Sequence, residues 1–321
     1  MLTDRQQDVR ISVIIPTWNA GPAFGQMLEK LWDQTLPPLE IIVVDSSSED
    51  ATADIARSKG ARLLSIAKTD FDHGGTRNYA ARHARGNVLV FFTQDAMPAH
   101  RELLEELTRP LSDRAVAYVY GRQLPRKDAP LLEKLVRSYN YSEESLRKSK
   151  SDLPRMGIKT FFCSNVCSAI RKDLFDEMGG FASPVMFNED LFMAANCILA
   201  GYQVVYAPQA KVIHSHDYTL IQQFRRYFDN GVSMRKNPRI HRYSSVNSEG
   251  KQMVAFLVRE LIRLKRRRWI PKVILESLIK FVGFQLGKHY HWLPDSLCRR
   301  ISSDDRIWNK VRMLQNEATP M

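Results

Sequence analysis

The polar tip Thr93-Gln94-Asp95 closes an apolar run, Asn87-Val-Leu-Val-Phe-Phe92, that is long enough for one buried strand, and Pro98 stops that strand from continuing. A carboxylate just past the carboxyl end of a central strand lies where open α/β sheets bind ligands. The competing role for Asp95 is to cap a helix beginning near Ala99. A second acidic feature, Asn188-Glu189-Asp190, opens a predicted helix that Gly201 ends, and an acid pair there also suits the helix dipole. His214 and His216 close the segment that begins at Pro208. The run Gly74-Gly75-Thr76-Arg77-Asn78 offers backbone amides and an arginine at a predicted helix start, an arrangement suited to an anion. Asp45 ends the run Leu39-Glu-Ile-Ile-Val-Val-Asp45 and could bind a ligand, cap the next helix, or do both, since a carboxylate has several lone pairs.

The elements around these residues alternate. Ile11 to Asn19 reads as a strand halted by Pro16, followed by a helix with Phe24, Met27, Leu28 and Leu31 on one face. A strand to Asp45, a helix to about Lys59, a strand from Ala61 to Ala67, a helix from Arg77 to about Arg85 and the Asn87 strand come next. This alternation predicts an α/β domain, a mostly parallel sheet with helices on both faces, and loops bearing Thr17, Asp45 and Asp95 that converge on one rim. Further on, the patterns predict a helix from Ala99 to Leu111, a strand from Val116 to Leu124, a charged helical stretch from Leu131 to about Arg155 and an apolar strand from Thr160 to Ile170. The composition changes beyond about Ser233, so residues 1–235 are expected to form the α/β domain and 236–321 a helical appendage ending in a weakly ordered tail.

The chain has 321 residues, a formal net charge of +12 and four cysteines. Cys163, Cys167, Cys197 and Cys298 show no metal-ligand pairing with histidines and read as buried thiols in a reducing compartment. The polar N-terminus and the lack of an apolar run of membrane-spanning length predict a cytoplasmic protein. The charge suits nucleic acid, anionic lipid or phosphate-bearing substrates. Aromatic residues do not interleave with the basic run around Lys265, which argues against a nucleic-acid-binding protein. Val254, Leu257, Val258 and Leu261 fall on one helical face and Arg259, Arg263, Arg266 and Arg267 on the other, as in helices that lie on membranes or pack on a domain.

In order and spacing, Pro16-Thr17-Trp18-Asn19, Val44-Asp45-Ser46-Ser47-Ser48-Glu49-Asp50-Ala51-Thr52, Thr93-Gln94-Asp95, Gly179-Gly180-Phe181, Asn188-Glu189-Asp190 and His214 resemble the inverting glycosyltransferases of family 2, which have the GT-A fold. The resemblance covers roughly residues 10 to 235. It implies that Pro16, Thr17, Asn19 and Asp45 hold the nucleotide, that Asp95 with His214 (or its rival His216) binds Mg2+ or Mn2+, and that Asp190, beside Glu189, is the general base. Thr93 stands where the family's Asp-X-Asp motif has its first acid, Ser46 where many relatives have a second acid, and Asn196 where a basic residue is frequent. The run Phe71-Asp72-His73-Gly74-Gly75-Thr76-Arg77-Asn78, with Thr93-Gln94-Asp95-Ala96, is similar to the bacterial rhamnosyltransferases of this family. That implies dTDP-L-rhamnose as donor, with Arg77 at the diphosphate, Asn78 and Gln94 among the donor contacts, and Asp72 or His73 near the sugar. It also implies a polyprenyl-diphosphate-linked glycan acceptor, O-antigen or another surface polysaccharide as product, and a peripheral place at the cytoplasmic face of the inner membrane. The rival donor is a UDP-hexose. A sugar-nucleotide-binding pseudoenzyme is disfavoured because both Asp95 and Asp190 are present.

Overall fold

The computed structural model describes residues 9–241, 243 and 246–310. The polar start of the chain and the last residues of the expected tail, 1–8 and 311–321, lie outside the described residues. Two compact units are built from interleaved segments. Among the described residues, the first takes the chain from 9 to 126, 141–183 and 189–214, and the second 127–140, 184–188 and the chain from 215 to 310.

Runs of Val, Ile and Phe make the strands of the first unit because β-branched and aromatic side chains pack well on a pleated surface buried on both faces. These are β1 (Ile11–Thr17), β2 (Glu40–Asp45), β3 (Arg62–Ser65), β4 (Val88–Phe92), β5 (Met97–Pro98), β6 (Val116–Leu124), β7 (Leu146–Lys148), β8 (Cys167–Arg171) and β9 (Gln203–Ile213). They form one sheet in the order β3-β2-β1-β4-β8-β6-β9-β5, with β7 also paired to β9. From β3 to β4 the pairing is parallel, as the alternation predicts. Beyond β4 the sheet is mixed: β8 runs antiparallel to β4 and β6, and β9 is parallel to β6. The Ala23–Trp32 helix buries Phe24, Met27, Leu28 and Leu31, which join Ile11, Val13, Ile15, Val90 and Phe92 in one core.

Three sequence expectations differ from the structure. The stretch expected as one strand from Thr160 to Ile170 is a 3-10 turn, Gly157–Phe161, then irregular chain, with only Cys167–Arg171 in the sheet. The charged stretch after Leu131 is helical only to Asn140 and returns as β7. Lys148 ends β7 fully buried, and its ammonium bonds the Phe162 carbonyl and the Tyr120 hydroxyl. A lysine reads as exposed in sequence, and only this tertiary partnership takes it inside. The tail is ordered at least to its first half: Asp295–Ile301 is helical, and Ile307 and Trp308 are buried. The buried Asp229 side chain holds the Ser302 and Ser303 hydroxyls and the Ser303 amide.

Helices make up the second unit. Leu257 and Leu261 of the Val246–Arg263 helix pack with Leu132, Leu135 and Val273. The apolar face considered for membrane contact is therefore covered from within. The Leu220–Arg235 helix and the Ile270–Lys288 helix meet backbone to backbone.

Candidate active site

The Glu189–Leu199 helix begins at the acid pair, just after Asn188 in a left-handed conformation with φ of 72°. Glu189 is buried and pairs with the buried Arg77 at 3.3 Å. Burial alone would raise its pKa, but Arg77, His73 and the Asn165 amide together hold the carboxyl below the usual range. Asp190 is half-buried and has the opposite fate. Burial, and then the Glu189 charge beside it, push its pKa up to about 7. Adjacent carboxyls with divergent pKa values mark separate roles: an ionised structural acid and a group able to take a proton near neutral pH. Successive helix positions also turn the two side chains about 100° apart.

Ser164, Asn165 and Val166 tie this pair to the rest of the rim. The Asn165 backbone N–H donates to Asp190 Oδ2 at 3.1 Å, and its side-chain amide donates to Glu189 Oε1 at 3.1 Å. Tyr118 and Ser168 hydroxyls donate to Asn165 Oδ1 at 2.5 and 2.8 Å, which fixes its orientation. Val166 O accepts from the Thr93 amide at 3.4 Å, and Ser164 Oγ accepts from Gln123 at 2.8 Å. Sequence reasoning passed over Asn165 and Gln123. The available signal was two consecutive polar residues, Ser164-Asn165, inside a stretch read as an apolar strand.

Gln123 leads to the metal-binding candidates. Its carbonyl oxygen lies 2.9 Å from His214 Nδ1, and its amide nitrogen meets Tyr141 and Ser164. An acceptor at Nδ1 places the proton there, so the other ring nitrogen, Nε2, presents its lone pair 3.3 Å from Asp95 Oδ2. His214 is buried, whereas the Asp95 carboxylate is partly open to solvent. One carboxylate and one oriented imidazole fit a divalent cation whose remaining positions go to phosphate oxygens and water. Asp95 does not cap a helix, since the next one starts only at Leu103. His216 lies in the second unit, its ring stacked on Tyr218 with centroids 4.7 Å apart.

The nucleotide candidates line the carboxyl ends of β1 and β2. Thr17 Oγ1 donates to Asp45 Oδ1 at 3.3 Å, and the Ser48 amide and hydroxyl donate to the same carboxylate at 3.0 and 2.5 Å. Asp45 thus organises its loop and is not a helix cap; the following helix is Thr52–Ser58. Asn19, with φ of 46°, accepts from the Glu49 amide and donates its own amide to Ser48. Gln94 binds both backbone groups of Trp18, Oε1 at 2.8 Å from the amide and Nε2 at 3.1 Å from the carbonyl. That clamp joins the Pro16-Thr17 loop to the Asp95 loop.

The Gly74-Gly75 amides are not an anion cradle. Asp72 caps the His73–His83 helix, accepting from both amides at 3.1 and 2.8 Å, and also takes the Ser183 hydroxyl. A Cβ on Gly74 would collide with the Ala182 carbonyl, and one on Gly75 with the Asp72 carboxylate, so close packing requires both glycines. Arg77 faces Glu189 and the His73 carbonyl. Asn78 makes a two-way bond with the Phe181 backbone at 2.8 Å each way.

The chain resembles known proteins along nearly its whole length. The family description "Glycosyl transferase family 2" matches residues 12–179. The chain is 41% identical over 307 residues to an O-antigen chain rhamnosyltransferase of Salmonella typhimurium, covering 95% of this chain and 98% of that one. It is also 41% identical over 304 residues to the corresponding Salmonella anatum protein, covering 94% and 96%. Among solved structures, a mannosyltransferase of Pyrobaculum calidifontis in complex with GDP-Man and Mn2+ superposes with a TM-score of 0.62 at 19% identity, over 88% of each chain. TarS of Staphylococcus aureus (residues 1–349) superposes with a TM-score of 0.54 at 16% identity, over 97% of this chain and 92% of that one. With its sheet, its acid pair and these full-length relatives, the chain belongs to glycosyl transferase family 2.

Proposed function

We propose that this glycosyltransferase moves L-rhamnose from dTDP-β-L-rhamnose, with inversion, onto a polyprenyl-diphosphate-linked glycan in O-antigen synthesis at the cytoplasmic face of the inner membrane. The full-length likeness to two O-antigen chain rhamnosyltransferases supports the sugar and the product. The ion pair of Arg77 with Glu189 at 3.3 Å, leaving Asp190 as the acid of this helix start without a cationic partner of its own among the described residues, is the observation that carries the mechanism.

In this reading Pro16, Thr17, Asn19 and Asp45 meet the base and ribose, while Gln94 keeps that loop against Asp95. A divalent cation, Mg2+ or Mn2+, on Asp95 and His214 would offset the charge of the departing diphosphate. Asp190 takes the proton of the acceptor hydroxyl as its oxygen bonds the anomeric carbon and the bond to the diphosphate breaks. Glu189 stays ionised against Arg77 and keeps Asp190 basic enough for that task. Arg77 and Asn78 support the site from behind rather than by contact with the donor.

Turnover with purified nucleotide sugars tests the donor. Transfer or hydrolysis of dTDP-rhamnose well above UDP-glucose and UDP-GlcNAc is expected, and the reverse preference would discard the rhamnose reading while leaving the acid pair in place.

A further inference from the structure

We propose that the Ile270–Lys288 helix is a docking surface for an anionic lipid bilayer. Two lines of apolar residues run along this helix, interrupted by Lys272, Glu276 and Lys280, and only one of them is used inside the protein. Val273, Gly283, Phe284 and Gly287 are buried. Gly283 and Gly287 let the helix approach the Phe224 and Phe228 carbonyls of the Leu220–Arg235 helix, where any Cβ would collide. The opposite side carries Ile274, Leu275, Leu278, Phe281 and Val282, which are 56, 47, 55, 50 and 41% exposed. At 100° per residue these five fall within about a third of the helix circumference, directly across from the buried line. A second apolar line of this size on a helix already packed on one side normally has a cover of its own.

Charge selects the occupant. The chain enters this helix through Lys265-Arg266-Arg267-Arg268, all exposed, and among the described residues none of the four pairs with a carboxylate. Arg267 and Arg268 sit in the 3-10 turn that leads into the helix, close to its positive end, where cations are unfavourable unless anions are near. At the other end Trp292 is 74% exposed, an aromatic of the kind that anchors proteins at headgroup level. An apolar stripe, an unpaired basic cluster and a terminal tryptophan together fit a helix lying in the plane of an acidic membrane. Among the described residues, no helix is long and apolar enough to cross one. The inference deepens the proposed function, resting on its place at a membrane face and naming the surface that would hold it there, and it is tested without donor or acceptor.

The test is co-sedimentation of the full chain with vesicles of equal parts phosphatidylglycerol and phosphatidylcholine, and with pure phosphatidylcholine. Binding to the mixed vesicles is expected, with binding to the neutral ones weaker by tenfold or more. Neutralising Arg266, Arg267 and Arg268 to Gln should weaken partitioning about a hundredfold, since each basic residue near an anionic surface contributes about fivefold. Leu278→Glu with Phe281→Glu should abolish binding while the thermal melt stays unchanged, because both side chains are exposed. Equal binding to both vesicle types, or binding that survives either set of substitutions, overturns the proposal. So does a wild-type dimer in lipid-free solution that the two Glu substitutions dissociate, which would make a second copy the occupant.

Discussion

Replacing Asp190 by Asn should change stability with a definite pH signature. Burial and the Glu189 charge raise the Asp190 pKa from 3.8 to about 7 in the folded protein. Between these values the folded state binds a proton that the unfolded chain releases, so the wild type loses stability as pH rises through this window. At pH 8 that penalty is at most about 4 kcal/mol, reduced by the carboxylate's remaining contact with water. The Asn variant has no such proton. It loses one acceptor, however: the two carboxylate oxygens take the Asn165 and Leu191 amides at 3.1 and 2.7 Å, and Asn has a single carbonyl oxygen. That loss costs about 1 kcal/mol and does not depend on pH. The difference between the proteins should therefore move by about 2 kcal/mol in favour of the variant between pH 5 and pH 8. At pH 8 the variant should be more stable than the wild type, while its turnover falls a hundredfold or more, roughly the share a general base supplies. Urea denaturation of both proteins at several pH values measures this. Parallel stability curves, with the variant weaker by the same amount throughout, would show that Asp190 titrates normally and refute its assignment as a base poised near neutral pH.

Other expectations follow from the same geometry. Glu189→Gln should move the acid limb of the kcat/KM profile, near pH 7 in the wild type, to lower pH by roughly one unit, because a neighbouring negative charge is removed; an unmoved limb would separate the two acids. Asp95→Ala and His214→Ala should each remove metal-dependent donor binding in calorimetry, and full wild-type activity in excess chelator would refute the metal assignment. Asn165→Ala should lower kcat at least tenfold with donor affinity nearly unchanged, since Asn165 holds both acids, and Asn165→Asp should fare worse by setting another negative charge against Glu189. Burial lowers the Lys148 pKa to about 7, so the unfolded chain binds the extra proton above that pH and wild-type stability should rise from pH 7 to pH 9. In Lys148→Met that rise should be lost, as read by urea denaturation.

What the sequence determined by itself is local and periodic. Strand–helix alternation from Ile11 to Phe92 is written in runs of Val and Ile between caps, and parallel pairing with ligand loops on one rim follows from it. Asp95, Asp190 and His214 could be picked out because their spacing matches a known pattern, and the acid pair does begin a helix. Tertiary structure alone sets the two acids apart. Glu189 and Asp190 are chemically similar neighbours in sequence, and they differ because Arg77, more than a hundred positions away, pairs with Glu189, while burial and then the Glu189 charge raise the pKa of Asp190. The Gly74-Gly75 amides read as an anion site until Asp72 is seen to occupy them. Lys148 and Asn165 look like ordinary polar residues, but both are buried and bonded to groups far away in sequence. Likewise, amphipathic patterning drew attention to the Val246–Arg263 helix, whose apolar face is covered by Leu132 and Leu135, while the open apolar face belongs to the next helix. Periodicity reports which residues share a face, and only packing determines which face remains in contact with solvent.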